Sequence, residues 1–177
     1  MEGSGTSIMP IGESRLSPPQ RLITLIELLG LCWPPAFYRD QIFLLALAAG
    51  PAFWILWASA TPVDLASWVH LWSFSFLSLA LWQPLVEELF FRGVVQGAFC
   101  TAGWRRNLGA GITTANLTTS MLFVAGHFLA HPPFWALSVL FPSLLFGLMR
   151  DRFYSTYPAI VLHVFYNGGY FLLTGIG

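Results

Sequence analysis

Long apolar runs separated by short polar stretches dominate the chain from Gln41 onward. A helix needs about 20 apolar residues to cross the roughly 30 Å hydrocarbon core of a bilayer. Four runs reach or approach that length, namely residues 41–60, 67 to about 100, 134–149 and 157–176. The pattern therefore predicts an all-α, polytopic integral membrane protein of about five to seven helices.

Two further segments are less regular. A fifth candidate span, between about 110 and 130, is interrupted by a polar stretch at 113–120. We expect this stretch to lead from the aqueous side toward His127. Residues 22–37 are short, contain Glu27 and end near a Trp-Pro-Pro sequence, which favours an interfacial or re-entrant helix over a span.

The first 20 residues differ from the rest of the chain. They are rich in Gly, Ser and Pro, with scattered charge and no apolar run, which predicts a flexible N-terminal tail at 1–20. The remaining residues, 21–177, have the length of a single membrane-embedded domain. We place the core of membrane helices that carries the candidate chemistry at about 67–177.

Composition agrees with a lipid environment. Hydrophobic residues make up 56% of the chain and charged residues 9%, whereas roughly a quarter of the residues of soluble proteins are charged. The eight basic residues are all arginines and balance eight acidic residues. The chain therefore has no basic stripe for phosphates, and we expect a lipid bilayer and no nucleic acid as its partner.

Arginine placement orients the predicted helices, because cytoplasmic loops of membrane proteins are enriched in Lys and Arg. Threading the runs back and forth brings five arginines to one side: Arg39, Arg105, Arg106, Arg150 and Arg152. With 22–37 not spanning, the chain has five spans. The arginines then face the cytoplasm and the C-terminus lies outside.

Ionisable side chains inside the apolar runs are the informative residues, since each costs roughly 2.5 to 3.5 kcal/mol at the centre of a membrane helix. Glu88 and Arg92 are i,i+4 with the glutamate first, the favourable order for an ion pair. Glu87 then lies about 100° around the helix without that partner. His163 and Asn167 repeat the i,i+4 spacing in the last run.

These residues are also predicted to lie at matching depths. Glu87 precedes Arg105 by nearly the number of residues by which His127 follows Arg106, so an antiparallel hairpin brings the two side chains level. His163 enters from the same side, about 10 to 15 Å deep. Each residue alone would more often be structural, as an ion pair or a hydrogen bond between helices. Together they favour a buried catalytic or ion-transfer site.

Three motifs occur in order on these helices: Glu87-Glu88-x-x-x-Arg92, Phe123-x-x-x-His127 and His163-x-x-x-Asn167. They resemble the motif set of the CPBP family, the CAAX-processing and bacteriocin-processing (ABI) proteins. Members of that family are glutamic-type intramembrane endopeptidases. The resemblance covers about residues 80–172 and implies that 21–177 is a protease domain.

The resemblance also implies roles for individual residues. It implies a catalytic role for Glu87, His127, His163 and Asn167, and a supporting role for Glu88 and Arg92. In that scheme the first two activate a water molecule, and the pair on the last helix stabilises the oxyanion. We also expect Phe91 and Phe123 to contact an apolar substrate segment.

The expected substrate is a membrane-anchored protein or peptide, cleaved in a C-terminal tail or anchor segment of CAAX-like or bacteriocin type. The chain is shorter than the CAAX-processing members and resembles short bacterial ones, which implies a multi-pass protein of the bacterial inner membrane. We expect no metal or other cofactor, because the His-Glu-x-x-His zinc signature is absent. His127 and His131, at i,i+4, keep a bound zinc as an alternative.

A different class of function also fits the polar residues. A non-catalytic immunity or scaffold protein of the same fold would retain them, and so would a proton-coupled, transporter-like module. A proton path needs polar residues that continue to the opposite face. Beyond His127 the sequence offers only His131 and Thr174, so the endopeptidase is favoured.

Overall fold

The computed structural model of the protein describes residues 25–60, 63 and 71–175. The predicted tail at 1–20 lies outside the described residues. So do most of the predicted loop after residue 60 and the start of the predicted core at 67.

Six helices make up most of the described chain: α1 Gln41–Ala60, α2 Phe74–Thr101, α3 Thr114–His127, α4 Pro133–Ser138, α5 Leu140–Phe153 and α6 Tyr157–Thr174. Before them, residues 25–29 are helical and Phe37–Arg39 form a 3₁₀ turn. This confirms the prediction of an all-α membrane fold.

Among the described residues, three helical stretches are long and apolar enough to cross a membrane: α1, α2 and Pro133–Phe153, which joins α4 to α5. Helix α6 has 18 residues but carries His163 and Asn167, which lower its hydropathy, and α3 has only 14 residues. Five spans were predicted, and α3 and α6 are the two predicted spans that fall short in length or hydropathy. The helical residues 25–29 end at Gly30, whose φ is +64°, and the start of the predicted segment 22–37 lies outside the described residues.

Helix α2 changes its hydrogen-bond register on both sides of the turn that carries the paired glutamates. Segments Ser78–Trp82 and Leu89–Gln96 are π-helical, and the α-helical segment Gln83–Glu88 lies between them. Pro84 has no N–H with which to continue the i→i−4 pattern, which favours a change of register next to it. Such π-helical insertions are frequent at functional sites.

Helix α6 contacts α1, α2 and α5 and so occupies the middle of the described helices. Glycines allow close packing around it. A Cβ at Gly169 would lie 2.1 Å from Cζ2 of Trp54 on α1, and one at Gly147 of α5 would lie 1.9 Å from Oδ1 of Asn116 on α3. Small residues permit such close approach between membrane helices, so larger side chains at these positions would push the helices apart.

A short β-hairpin joins α2 to α3, where the sequence analysis predicted no strand. Strand β1, Asn107–Gly109, pairs antiparallel with β2, Ile112–Thr113. The chain reverses through Gly109, Ala110 and Gly111, all with positive φ, which glycine adopts without a steric penalty. Strand β1 is exposed, whereas β2 is half-buried and contacts α5.

The polar stretch at 113–120 serves helix packing. The hydroxyl of Thr113 caps α3 by accepting from the N–H of Asn116 at 3.1 Å. Asn116, Thr119 and Ser120 are fully buried, and Asn116 Nδ2 donates to the carbonyl of Leu144 on α5 at 3.0 Å. The prediction that this stretch leads from water toward the site was therefore wrong for these three residues, because their faces pack against neighbouring helices.

Candidate active site

The centre of the site is a fully buried ion pair on α2. Glu88 Oε2 lies 3.2 Å from Arg92 Nε, one turn along the helix, and neither side chain is exposed. The other oxygen, Glu88 Oε1, lies 2.8 Å from Nδ1 of His163 on α6. Because a carboxylate paired with arginine can only accept hydrogen bonds, His163 Nδ1 must carry the proton and donate it to this bond.

Glu87 lies on the other side of the same imidazole. Its Oε2 is 3.8 Å from His163 Nε2, and its side chain is 21% exposed. The other oxygen accepts a hydrogen bond from Gln83 Nε2 at 3.0 Å. One histidine ring therefore bridges a buried carboxylate, which is paired with arginine, and a carboxylate that reaches the surface.

Arg92 is held by contacts from two further helices. Its Nη2 donates to both the carbonyl and the hydroxyl oxygen of Ser143 on α5, at 2.8 and 2.7 Å. The rings of Phe123 and Phe146 lie 5.0 and 5.5 Å from the guanidinium carbon, within range of cation–π attraction. This buried cation thus contacts one carboxylate, two oxygens of Ser143 and two aromatic rings, while its Nη1 has no hydrogen-bond partner in the described structure.

His127 contacts Phe123, and no ion-pair contact joins it to the two carboxylates in the described residues. Its Nδ1 lies 2.9 Å from the carbonyl of Phe123, one turn back on α3. The ring of Phe123 lies 4.3 Å from His127 and 6.2 Å from His163, centroid to centroid. In the described part of the chain, ion-pair contacts link both carboxylates to His163, and none links them to His127.

Asn167 lies one turn beyond His163 on α6. Its Nδ2 donates to the carbonyl of Leu79, at 3.2 Å, within the first π-helical segment of α2. One of its two N–H bonds is therefore engaged with the protein. Its predicted role toward an oxyanion stays a prediction.

The two predicted substrate-contact residues differ in their exposure. Phe123 is buried, with only 2% of its surface exposed, and its ring lies near both Arg92 and His163. Phe91 is half-buried and packs edge-on against Phe90 and Phe123, at 5.1 and 5.0 Å. In the described structure Phe91 is thus the more accessible of the two.

Three residues of the site were missed by the sequence analysis. Gln83 stands four residues before Glu87, and that i,i+4 spacing was a usable signal. Ser143 is a polar residue within an apolar run, which is a weaker signal. Phe146, whose ring stacks on His163 at 4.7 Å, had no signal among so many aromatic residues.

Within residues 25–60, 63 and 71–175, no three His, Cys, Asp or Glu side chains come together as metal ligands. The rings of His127 and His131 stack 5.7 Å apart, and His131 stacks on Trp135 at 4.0 Å. The absence of a metal stays an expectation, as does the zinc alternative.

The fold and this cluster define a helical membrane protein with a buried acid–base site: a part-exposed carboxylate beside an imidazole whose other nitrogen is fixed. The family model described as type II CAAX prenyl endopeptidase Rce1-like matches residues 68–169, more than half of the chain. The chain therefore belongs to this family, which is the CPBP family of intramembrane endopeptidases, and the predicted resemblance is confirmed. Comparisons with curated proteins and with solved structures find no match.

Proposed function

We propose that the protein is an intramembrane endopeptidase that hydrolyses a peptide bond near the C-terminal tail or anchor of a membrane-anchored protein, with Glu87 activating the water. The observation that carries the proposal is the contact of Glu87 Oε2 with His163 Nε2 at 3.8 Å. A water about 2.8 Å from each of these atoms fits beside the pair. With a proton on His163 Nε2, the water oxygen would accept from that N–H while one of its O–H groups donates to Glu87 Oε2.

In the proposed reaction the water oxygen attacks the carbonyl carbon of the substrate while Glu87 takes a proton from the water. The negative charge that forms on the carbonyl oxygen needs donors. Asn167 is one candidate. His163 is a second candidate. With a proton on both ring nitrogens, His163 and Arg92 together would balance the charge of the two carboxylates, and the N–H at Nε2 could donate.

The tetrahedral intermediate collapses when the C–N bond breaks and Glu87 returns its proton to the leaving amine. Glu88 and Arg92 contribute by holding the His163 ring in one orientation through the 2.8 Å bond to Nδ1. The role proposed for His127 rests on the family motif. Its ring packs against Phe123, whose own ring lies near His163.

The proposed substrate is a C-terminal segment of CAAX-like or bacteriocin type. The protein that cleaves it is proposed to be a multi-pass protein of the bacterial inner membrane. Helical peptide bonds are hidden by their own hydrogen bonds, so the substrate must be extended at the cleaved bond. The aromatic group of Phe90 and Phe91 could hold an apolar part of it. Both rings have surface available for contact.

The test compares the C-termini of membrane proteins in cells that lack the gene, express the wild type, or express Glu87→Gln. Glu27→Gln is the matched control, because Glu27 is exposed and stands outside the cluster. We expect the wild type and Glu27→Gln to produce the same shortened C-termini, and Glu87→Gln to produce none. Shortened C-termini that are equally abundant with Glu87→Gln would refute the proposed base.

A further inference from the structure

Each π-helical segment of α2 offers a backbone carbonyl to a side chain of another helix. In the first segment, Leu79 O accepts from Asn167 Nδ2 of α6 at 3.2 Å. In the second, Arg92 O accepts from Arg150 Nε of α5 at 3.2 Å. The turn that carries the paired glutamates lies between these two contacts, so its position depends on both.

The Arg150 side chain is held by contacts with α2 and with the segment before α1. Its Nη2 donates to the carbonyl of Leu28 at 3.0 Å, in the segment before α1. Gly30 packs directly on the guanidinium, since a Cβ there would lie 2.7 Å from Arg150 Cζ. Only 5% of Arg150 is exposed. The side chain therefore bridges α5, α2 and the segment at 28–30.

A buried arginine is costly, and the contacts of Arg150 account for its presence. Its hydrogen bonds in the described part of the chain go to two backbone carbonyls, and no carboxylate there lies within ion-pair distance of it. An apolar side chain of similar length would pack with less desolvation. A guanidinium, however, is a rigid fork whose donors point in different directions and can bind two separate carbonyls, which lysine cannot reproduce.

One of the two carbonyls that Arg150 binds belongs to Arg92, and Arg92 orders the site. The side chain of Arg92 pairs with Glu88, and Glu88 fixes the imidazole of His163. Displacement of the Arg92 backbone would therefore move the ring that faces Glu87. Misplacement by about 1 Å of a group that orients catalytic residues can lower a rate about 100-fold.

We propose that Arg150 is a positioning residue of the endopeptidase site, which fixes the second π-helical segment of α2 and through it the Arg92–Glu88–His163 chain. The inference rests on the proposed function for its kinetic readout. It also has a readout that needs no activity, which is the state of the His163 ring.

The kinetic test uses Arg150→Met, with Arg152→Met as the control on the same helix, because Arg152 is exposed and pairs with Asp40 away from the site. With the substrate identified in the Glu87 experiment, we expect the kcat of Arg150→Met, per folded molecule, to fall about 10- to 100-fold. KM should change less than about twofold, because only 5% of Arg150 is exposed and its hydrogen bonds go to backbone carbonyls. The Arg152 variant should keep the wild-type kcat.

The second readout is ¹⁵N NMR of histidine-labelled protein in lipid nanodiscs. The protein has four histidines, so His163→Gln assigns the His163 signals. We expect Arg150→Met to shift the Nδ1 signal that reports the bond to Glu88, and Arg152→Met to leave it unchanged. The signals of His131, on the far side of His127, serve as an internal reference.

Folded Arg150→Met with wild-type kcat and an unshifted His163 signal would overturn the proposal, even if its thermal stability were lower. If that variant does not fold, Arg150→Lys is used, which keeps the charge but loses the fork. It should show the same signal shift and a smaller fall in kcat, and unchanged values of both would also overturn the proposal. If the wild type cleaves no peptide, the proposed function fails, while the His163 signal still decides the role of Arg150.

Discussion

Two arginine–carboxylate pairs in this protein differ in geometry and in surroundings. The surface pair, Arg152–Asp40, joins the end of α5 to the start of α1 with contacts of 2.7 and 3.0 Å, and its side chains are 44% and 20% exposed. The interior pair, Arg92–Glu88, has a longer contact of 3.2 Å, with both side chains fully buried. By distance alone, the surface pair would be expected to contribute more to stability.

Burial reverses the expected order of the two contributions. Solvent competes with an exposed pair, which contributes about 0.2 to 1 kcal/mol. Loss of one partner from a buried pair leaves an uncompensated charge and costs about 3 to 5 kcal/mol. The interior pair is also connected to His163 and Ser143 on other helices, whereas Asp40 of the surface pair accepts from two backbone N–H groups at the start of α1. What a pair does in this protein thus depends on what else its members bind.

The largest effect on stability is expected from Arg92→Ala. It leaves Glu88 charged and buried without its partner, so unfolding in detergent should become easier by about 3 to 5 kcal/mol. The yield of folded protein should fall as well. Arg152→Ala, compared in the same unfolding experiment, should lose less than about 1 kcal/mol. Equal losses for the two variants would remove the distinction between the pairs.

Asn167→Ala separates catalysis from stability inside the buried region. Loss of one oxyanion donor typically lowers kcat about 100- to 1,000-fold, whereas loss of the hydrogen bond to Leu79 should cost only about 1 kcal/mol of stability. Cleavage by purified protein and its unfolding curve measure the two effects. A fall in kcat of less than about threefold would exclude Asn167 as an oxyanion donor.

Ser143→Ala tests how far the interior network extends. The substitution removes the hydroxyl that accepts from Arg92 Nη2 but leaves the backbone carbonyl that accepts from the same nitrogen. A destabilisation of about 0.5 to 1.5 kcal/mol is expected. Ser138→Ala, at an exposed serine that bonds only to the carbonyl of Trp135 in the described structure, should be nearly neutral. If both serine variants behave alike, Ser143 contributes nothing specific to the interior pair.

The smallest effect belongs to the surface pair and depends on pH. The hydrogen bond from Arg152 lowers the pKa of Asp40 below its usual value of 3.8. The stabilisation is therefore fully present above that value and is lost as the pH falls through the lowered pKa. Asp40→Asn retains an oxygen for the N–H groups of Ile42 and Phe43. The difference in Tm between wild type and Asp40→Asn should be small at pH 7 and disappear as the pH falls through the lowered pKa of Asp40. A difference that grows toward acid would contradict this sign.

The sequence allowed the fold class and the interior ion pair to be predicted, because both depend on the spacing of residues along helices. The ion pair of Glu88 with Arg92 follows from i,i+4 geometry and is present. The predicted match in depth between Glu87 and His127 stays a prediction. Rotation about the helix axes cannot be counted in residues, so the sequence did not indicate that Phe123 packs against both His127 and His163.

Two local features escaped the hydrophobic pattern for different reasons. The π-helical segments of α2 shift its hydrogen bonds without interrupting its apolar run, and Pro84 was the only local signal. The β-hairpin had a clearer signal in its Gly109-Ala110-Gly111 turn. The buried polar residues of α3, such as Asn116, form a polar stretch in the sequence that suggests exposure to water. The sequence did not indicate their burial, because their partners come from α5.

The most direct test of the account is cleavage by purified protein in lipid nanodiscs, with the new C-terminus identified by mass spectrometry. We predict that Glu87→Gln abolishes cleavage while its unfolding curve and the His163 Nδ1 signal stay close to wild type, since Glu88 and Arg92 still hold the ring. Cleavage at the wild-type rate and position by folded Glu87→Gln would contradict the central claim that Glu87 activates the water.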